Sequence, residues 1–289
     1  MAIHIPVLDQ CVLSHNHEGV LLVEDLASYL DRNSHLEFPH RHNFYQMLLF
    51  TKGAGTHSID FEKFKITPWQ IYFMLPGQIH RWDFEGEMQG YIVNFQPDFF
   101  KTFLLRPDLL NQFPFLSGMA KEQVFQIREQ QQADVLSIMG RLISNRDLDF
   151  SRVGLLYLFK ILDQQLDHVE SGSVTDYNYM LLRNFQNLIE HNYQTMRLPK
   201  EYATLLYITP NHLNALSKQY LGASAGEIIR NRVLLEAKRL LVIKDYSIST
   251  IAYELNFNDN SYFTKFFKKI EGITPEEFRR RYAYNGAER

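Results

Sequence analysis

Apolar residues near the C-terminus recur at three- and four-residue intervals. Phe263, Phe266, Phe267 and Ile270 form one stripe between Asp259 and Gly272, while Asn260, Ser261, Thr264, Lys265 and Lys268 fall mainly on the other side. The spacing predicts a helix. Asp259 suits an N-cap, Gly272 a C-terminal stop, and Pro275 follows where a helix could not continue. Taken alone, the basic side of such a helix is a solvated face. Upstream, Ile248, Ile251, Ala252 and Leu255 predict a shorter helix, joined through Asn256, Phe257 and Asn258. Ala252 is small where two steeply crossing helices need close approach. A short helix, a tight turn and a second helix with polar residues at its exposed N-terminus make a helix-turn-helix, whose second helix enters the major groove.

The pattern occurs twice. Residues 202–229 align with 251–278: Ala203 with Ala252, Leu206 with Leu255 and Ile208 with Phe257. After one extra residue in the second turn, Leu213 matches Phe263, Leu216 matches Phe266, Lys218 matches Lys268, Gly222 matches Gly272 and Ile228 matches Phe278. Apolar, small and glycine positions coincide while exposed positions differ, as expected of two copies of one fold reading different bases. Residues 226–244 between the copies have no internal proline or glycine and span roughly 27 Å as a helix. With the bodies of the motifs added, the reading helices are expected to lie about 34 Å apart, in successive major grooves. Asn211, His212 and Asn214 of the first copy, and Asn260, Ser261, Thr264 and Lys265 of the second, are expected to face DNA. Lys218 shares that face, and its counterpart Lys268 is placed near phosphate. Asparagine matches the adenine edge, and lysine reaches guanine acceptors or a phosphate. Phe263, Phe266 and Ile270 are expected to face the motif's core, which makes Phe266 costly to truncate.

Ahead of these helices the period changes. Residues 44–95 string short apolar or alternating runs between Gly, Pro and Asp turns, which predicts the strands of a sandwich or barrel. From about residue 121 to 168 helical spacing returns. The stripe Leu155, Leu156, Leu158, Phe159 and Leu162 is expected to contribute to self-association, the alternative being that both faces pack within one chain. Residues 167–178 are polar and contain the expected linker. The fold class is therefore α+β in two domains.

At this point the residues carry a family resemblance. "ITPNHLNALSKQYLG", "NRVLLEAKRLLV" and "SISTIAYELNFNDNSYFTKFFKKIEGITPEEFRRR" together resemble the DNA-binding domain of the AraC/XylS transcription regulators, over about the last hundred residues. Asn256 stands where that family usually has glycine, and asparagine tolerates a left-handed backbone. Ala215 stands where the first reading helix is often polar or basic. "PHRHNFYQMLLFTKGAGTHSIDF" and "LPGQIH" resemble the jelly-roll, cupin-like sensor domain of the same regulators. The resemblance implies a cupin-like effector-binding and dimerisation domain at 1–170, a linker at 171–178 and a tandem helix-turn-helix domain at 179–289. It implies a ligand-responsive activator without enzymatic activity or cofactor. The partners it implies are double-stranded promoter DNA, a small-molecule effector, a second copy of the chain and RNA polymerase.

Candidate chemistry centres on "HRH". His40 and His42 alternate to one face of a strand, His80 falls where cupins place a third histidine, and Gln46 lies where metal-binding cupins commonly have a carboxylate. Neutral imidazoles suit Zn, Fe, Ni or Cu, which would make a cupin metalloenzyme or metal sensor. The same histidines can instead hydrogen-bond an organic effector inside the barrel near His40, His42, Tyr45, His80 and Trp82. Such a lining favours an aromatic or polar-aromatic compound. The sequence has no glycine-rich phosphate loop, no paired-cysteine zinc pattern and no GxSxG nucleophile elbow.

Charge and cysteine content sharpen the division. Residues 175–289 hold 16 basic and 12 acidic side chains, a net of +4, against −7 for residues 1–174. The basic part is the one that phosphate contact requires. Cys11, the single cysteine, cannot form an internal disulfide, which suits a reducing cytoplasm. The first ten residues carry no basic-then-apolar signal region, and no apolar run is long enough to span a bilayer.

Overall fold

Two long strands organise the first half of the chain. β4 (Tyr45–Ile59) and β7 (Ile79–Phe95) pair antiparallel from Tyr45↔Phe95 to Ile59↔His80. Gly90, at φ +150°, lets them approach, because a Cβ there would sit 1.8 Å from the Leu49 carbonyl oxygen. The computed structural model describes residues 5–8, 19–33, 38–101, 103–105, 107–166, 176–243 and 246–282. Cys11 lies outside these, as do residues 171–175 of the expected linker, and residues 176–178 begin a helix. The chain divides into two compact units, Pro6–Glu170 and, in the main, Ser171–Arg289.

In the first unit, β1 (Val7–Leu8), β2 (Leu21–Asp25), β3 (His40–His42), β5 (Glu62–Lys65), β6 (Gln70–Met74) and β8 (Val124–Gln126) complete an eight-stranded sheet. Its order is β1-β3-β7-β4-β6-β8, with β2 on β7 and β5 on β4. Only β1 and β3 run parallel among these pairs. Helix α1 (Leu26–Arg32) starts at Asp25, whose carboxylate accepts the Ser28 N–H at 3.0 Å. The pleat sends Met47 and Leu49 to one face and Leu48 and Phe50 to the other. The first face packs on α3 (Glu129–Ser144) and α4 (Leu148–Gln165), which follow the single turn α2 (Ala120–Gln123).

α4 corrects the expected self-association stripe. Leu155, Leu158, Phe159 and Leu162 are buried within the unit and Leu156 is half-buried against the same cluster. The Phe159 ring meets Phe73, Phe95, Phe113 and Phe115 with centroids 5.6–6.2 Å apart. The outward side of α4 instead carries Phe150, Val153 and Tyr157, the last two 57% and 60% exposed, which with Ile138 and Leu142 of α3 line one concavity. Gly154 admits Leu142 from α3, since a Cβ there would lie 2.8 Å from Leu142 Cδ2.

The second unit is helical: α5 (Asp176–Asn192), α6 (Pro199–Leu205), α7 (Pro210–Leu221), α8 (Ala225–Ile243), α9 (Ile248–Glu254), α10 (Asn260–Glu271) and α11 (Pro275–Tyr282). α8, about 28 Å long at 1.5 Å per residue, packs against each of the others. Arg232 on α8 pairs with Glu190 at 2.8 Å, and Lys238 with Glu271 at 2.6 Å. One core gathers Phe185, Ile189, Tyr202, Ala203, Leu213, Ala225 and Ile229. The second motif buries Ile251, Ala252, Leu255, Phe263, Phe267 and Phe278. Among the described residues no helix is long and apolar enough to cross a membrane.

The core of the second motif also differs from expectation. Phe263 and Phe267, four residues apart and hence on one line of the helix, are fully buried, whereas Phe266 and Ile270 are half-buried on its flank. Phe267 meets Phe278 at 5.5 Å, while Phe266 lies on Phe257 at 5.1 Å. Phe267→Ala is therefore expected to lower stability by roughly 3–5 kcal/mol and Phe266→Ala by much less. Urea unfolding followed by far-ultraviolet circular dichroism measures both, and equal losses would contradict this assignment.

Candidate nucleic-acid interface and interior ligand site

The two helix-turn-helix motifs, α6–α7 and α9–α10, repeat down to individual hydrogen bonds. Tyr207 and Asn256 turn the chain at φ 54° and 59°. Around them Leu206 N–H donates to Tyr202 O and Leu255 N–H to Ile251 O, both at 3.0 Å. Ile208 N–H donates to Ala203 O at 3.0 Å, and Phe257 N–H to Ala252 O at 2.9 Å. Thr209 and Asp259 cap the reading helices by accepting the His212 and Tyr262 N–H groups at 3.1 and 2.7 Å. Gly222 and Gly272 end them in left-handed conformations. Beyond each glycine a capping box starts the next helix. Ser224 and Thr274 N–H groups donate to Glu227 and Glu277 at 2.8 and 2.7 Å. The side-chain and backbone bonds of Ser224 hold the Glu227 carboxyl below its ordinary value, and the backbone and side-chain bonds of Thr274 do the same to Glu277.

Asn211, His212, Lys218, Asn260, Ser261, Lys265 and Lys268 are exposed, and Asn214 and Thr264 half-buried. Thr264 Oγ1 donates to Asn260 Oδ1 at 3.5 Å. Asn214 Oδ1 accepts the Ala225 N–H at 3.1 Å, so its carbonyl end ties the first reading helix to α8. Lys200, Asn211, Asn214, Lys218 and Ser224 line one shallow concavity beside α7, with two ammonium groups near the N-terminal ends of α6 and α8. Tyr262 was not among the expected contacts, yet it is 62% exposed on the first turn of α10, with its ring 5.8 Å from Phe257. The repeat itself holds the signal, because Tyr262 occupies the position of His212.

In the first unit, His40, His42, His80 and Trp82 come together in the interior as expected, and His57 joins them. All four histidines are buried. His40 and His80 pair across β3 and β7, their rings 4.1 Å apart, and His42 lies 4.9 Å from His80. Tyr45 does not belong to this group. It stacks on Phe95 at 5.0 Å and packs into the opposite core, because the pleat places it with Met47 and Leu49. His57 is missed by strict alternation. The register shifts between Phe50 and Ala54 change the parity of β4, so that His57 and Ile59 point to the same side as Leu48 and Phe50.

The hydrogen bonds define the protonation. Trp82 Nε1–H donates to His57 Nε2 at 3.1 Å, which puts the His57 proton on Nδ1. His80 Nδ1, 3.3 Å from the same acceptor, carries its proton toward it and leaves Nε2 as a bare acceptor. His42 Nδ1–H donates to Phe44 O at 2.7 Å, again leaving Nε2 bare, and His40 Nδ1–H donates to Phe38 O at 2.9 Å. His42 Nε2, His80 Nε2, His57 Nδ1 and Gln46 Oε1 are buried without a partner. Gln46 Nε2 donates to Asn94 Oδ1 at 3.0 Å. Burial, reinforced by the neighbouring His40, pushes His42 and His57 down from 6.5 to about 3, and His80 well below its ordinary value. Among the described residues no three His, Cys, Asp or Glu side chains are arranged to hold a metal ion, and Gln46 brings no carboxylate.

Comparison with known proteins follows the same division. Residues 27–156 match the AraC-like ligand binding domain and residues 202–281 a helix-turn-helix domain. The chain is 25% identical over 174 residues to the regulatory protein PocR of Salmonella typhimurium, an alignment covering 60% of this chain and 54% of that protein. It thus spans about half the length of PocR, and less of the regulators YtdP and YesN of Bacillus subtilis. It is 24% identical over 262 residues to the arabinose operon regulatory protein of the same Salmonella, covering 86% of this chain and 90% of that one. The crystal structure of unsaturated fatty acid bound ToxT from Vibrio cholerae aligns with 93% of this chain and 96% of its own, at 16% identity and a TM-score of 0.42.

The buried histidines make the first unit sensitive to acid. Unfolding lets them take protons below pH 6.5, whereas the folded unit holds His42 and His57 neutral down to about 3. Their contribution to stability is therefore complete above pH 6.5 and is lost as the pH falls toward 3. Trp69 and Trp82, the only two tryptophans, both lie in this unit, so fluorescence in urea reports on it. The urea midpoint is expected to fall with pH across that window, and less steeply in His57→Gln. Identical pH profiles for the two proteins would refute the assignment.

Proposed function

The chain belongs to the AraC/XylS family of transcriptional regulators, whose members are not enzymes, and on that premise we propose that it binds promoter DNA through both motifs under the control of a small molecule held in the first unit. The observation that carries this reading is the doubled motif. Two helices share their caps, turns and terminal glycines, and each presents exposed polar side chains at its N-terminal end. Asn211 and His212, and Asn260, Ser261, Tyr262 and Lys265, reach base edges, with Thr264 orienting Asn260. Lys218 and Lys268, farther along, meet phosphates. Reading by Asn214 relies on its amide hydrogens, since its oxygen is engaged by Ala225.

The interior favours one kind of effector. Bare nitrogens at His42 and His80 and the Gln46 oxygen require hydrogen-bond donors. Neutral imidazoles around them offer no counter-charge, so a charged ligand would be buried unpaired. Trp82 and Phe44 supply aromatic faces. The effector is accordingly a neutral molecule with O–H or N–H donors and an apolar or aromatic face. The outward stripe Phe150, Val153 and Tyr157 supports a homodimer, in place of the buried leucines of α4.

Selection of duplexes from a randomised pool tests the reading directly. Wild-type protein is expected to enrich a sequence with two determined segments. Asn260→Ala should relax the preference at one base pair, at a cost of about 1–3 kcal/mol in discrimination. Lys268→Ala should weaken all duplexes similarly and reduce the salt slope by about 1. Unchanged preference in Asn260→Ala at fixed salt would remove it as a reader. For the dimer, Val153→Glu with Tyr157→Glu is expected to give a monomer by sedimentation with both units folded. A monomeric wild type at all concentrations would refute that part.

A further inference from the structure

The two motifs are joined by α8, but a second connection runs past that helix. Arg197 lies in the segment just before α6, where its own N–H donates to Glu201 Oε2 at 2.9 Å. Glu201 also accepts the Leu198 N–H at 2.7 Å, so this side chain organises the start of α6. From there the Arg197 guanidinium reaches the second motif and donates to the carbonyl oxygen of Leu255. Leu255 is the C-cap of α9, directly before the left-handed Asn256. Terminal helix carbonyls lack intrahelical partners and carry partial negative charge, so a cation there satisfies both needs.

The same guanidinium lies 4.9 Å from the centre of the Phe257 ring. Phe257 in turn touches three side chains of the second reading helix: Tyr262 at 5.8 Å, Phe263 at 5.2 Å and Phe266 at 5.1 Å. One planar cation therefore holds the turn of the second motif by its backbone, and the base of its reading helix by an aromatic face. Its own backbone is anchored to the start of the first motif.

We propose that Arg197 is a positioning residue for DNA recognition, a clamp between the two motifs that fixes the separation and relative orientation of α7 and α10. α8 alone sets how far apart the motifs begin. Arg197 removes the remaining freedom of the second motif to pivot about the end of that helix. Two reading helices held rigidly at the spacing of their target act as one bivalent binder, whereas a loose pair loses that advantage.

The proposal rests on the DNA-binding reading, and its test separates the two. The probes are a duplex enriched by the wild-type protein from a randomised pool, the same duplex with one segment scrambled, and the same duplex with one or two base pairs inserted between segments. Arg197→Gln is expected to bind the scrambled duplex as the wild type does. It should bind the intact duplex roughly tenfold more weakly and discriminate less against the insertions. Arg197→Lys, which keeps the charge and one donor, should recover part of the difference, and it serves as the test protein if thermal unfolding shows Arg197→Gln to be misfolded. The clamp is refuted if the variants treat all probes as the wild type does, if binding to the scrambled duplex falls equally, or if the enriched DNA holds a single segment. No enrichment by the wild type would instead overturn DNA reading itself.

Discussion

Each motif depends on one residue held at positive φ. Tyr207 and Asn256 reverse the chain within a single residue, and a bond from the following N–H to the carbonyl of Ala203 or Ala252 seals the reversal. A side chain with a Cβ costs roughly 1–2 kcal/mol in that conformation, so the surrounding bonds must hold it. The aim of α7 and α10 follows from this turn. Small residues at 203 and 252 keep the crossing helices close, and the caps at Thr209 and Asp259 start the new helix at a defined residue. Polar side chains on the first exposed turn then have a fixed direction, as reading base edges demands.

The sensor unit obeys a different constraint, the cost of burying polar groups. Alternation along β4 and β7 sorts side chains into two interiors. One is built from phenylalanines and leucines, sealed by α3 and α4. The other contains Gln46, Asn94 and four histidines among apolar residues. An unsatisfied buried polar atom costs about 1–3 kcal/mol, and His42, His57, His80 and Gln46 gather such atoms on one face of the sheet. The apolar face stabilises the sheet, and the polar face keeps buried hydrogen-bonding atoms without partners. The histidines bear this cost by staying neutral, with Phe38 and Phe44 carbonyls and Trp82 orienting their rings.

α4 carries apolar side chains on two sides. Its inward leucines and Phe159 close the dry core, and Phe150, Val153 and Tyr157 remain on the outside at the same helical period. The outer side of α4 thus keeps an exposed apolar stripe after the core is closed.

The sequence by itself determined what depends on a few neighbouring residues. The doubled helix-turn-helix, its caps and glycine stops, the left-handed Asn256 and the strand placement of His40, His42 and His80 all follow from local hydrogen bonding and periodicity. The tertiary structure decided what depends on contacts between distant residues. His57 joins the histidines only because a register shift against β7 changes the parity of β4, and Tyr45 leaves them because its neighbours on the sheet belong to the other core. Phe267 rather than Phe266 is buried because Phe278, on a later helix, closes over it. Asn214, expected on the DNA face, is tied to α8 by its carbonyl oxygen, and Arg197 reaches Leu255 across 58 positions. Periodicity identifies a face, but which neighbour covers that face is set by strand register and helix crossing, and these depend on pairings that no short stretch contains.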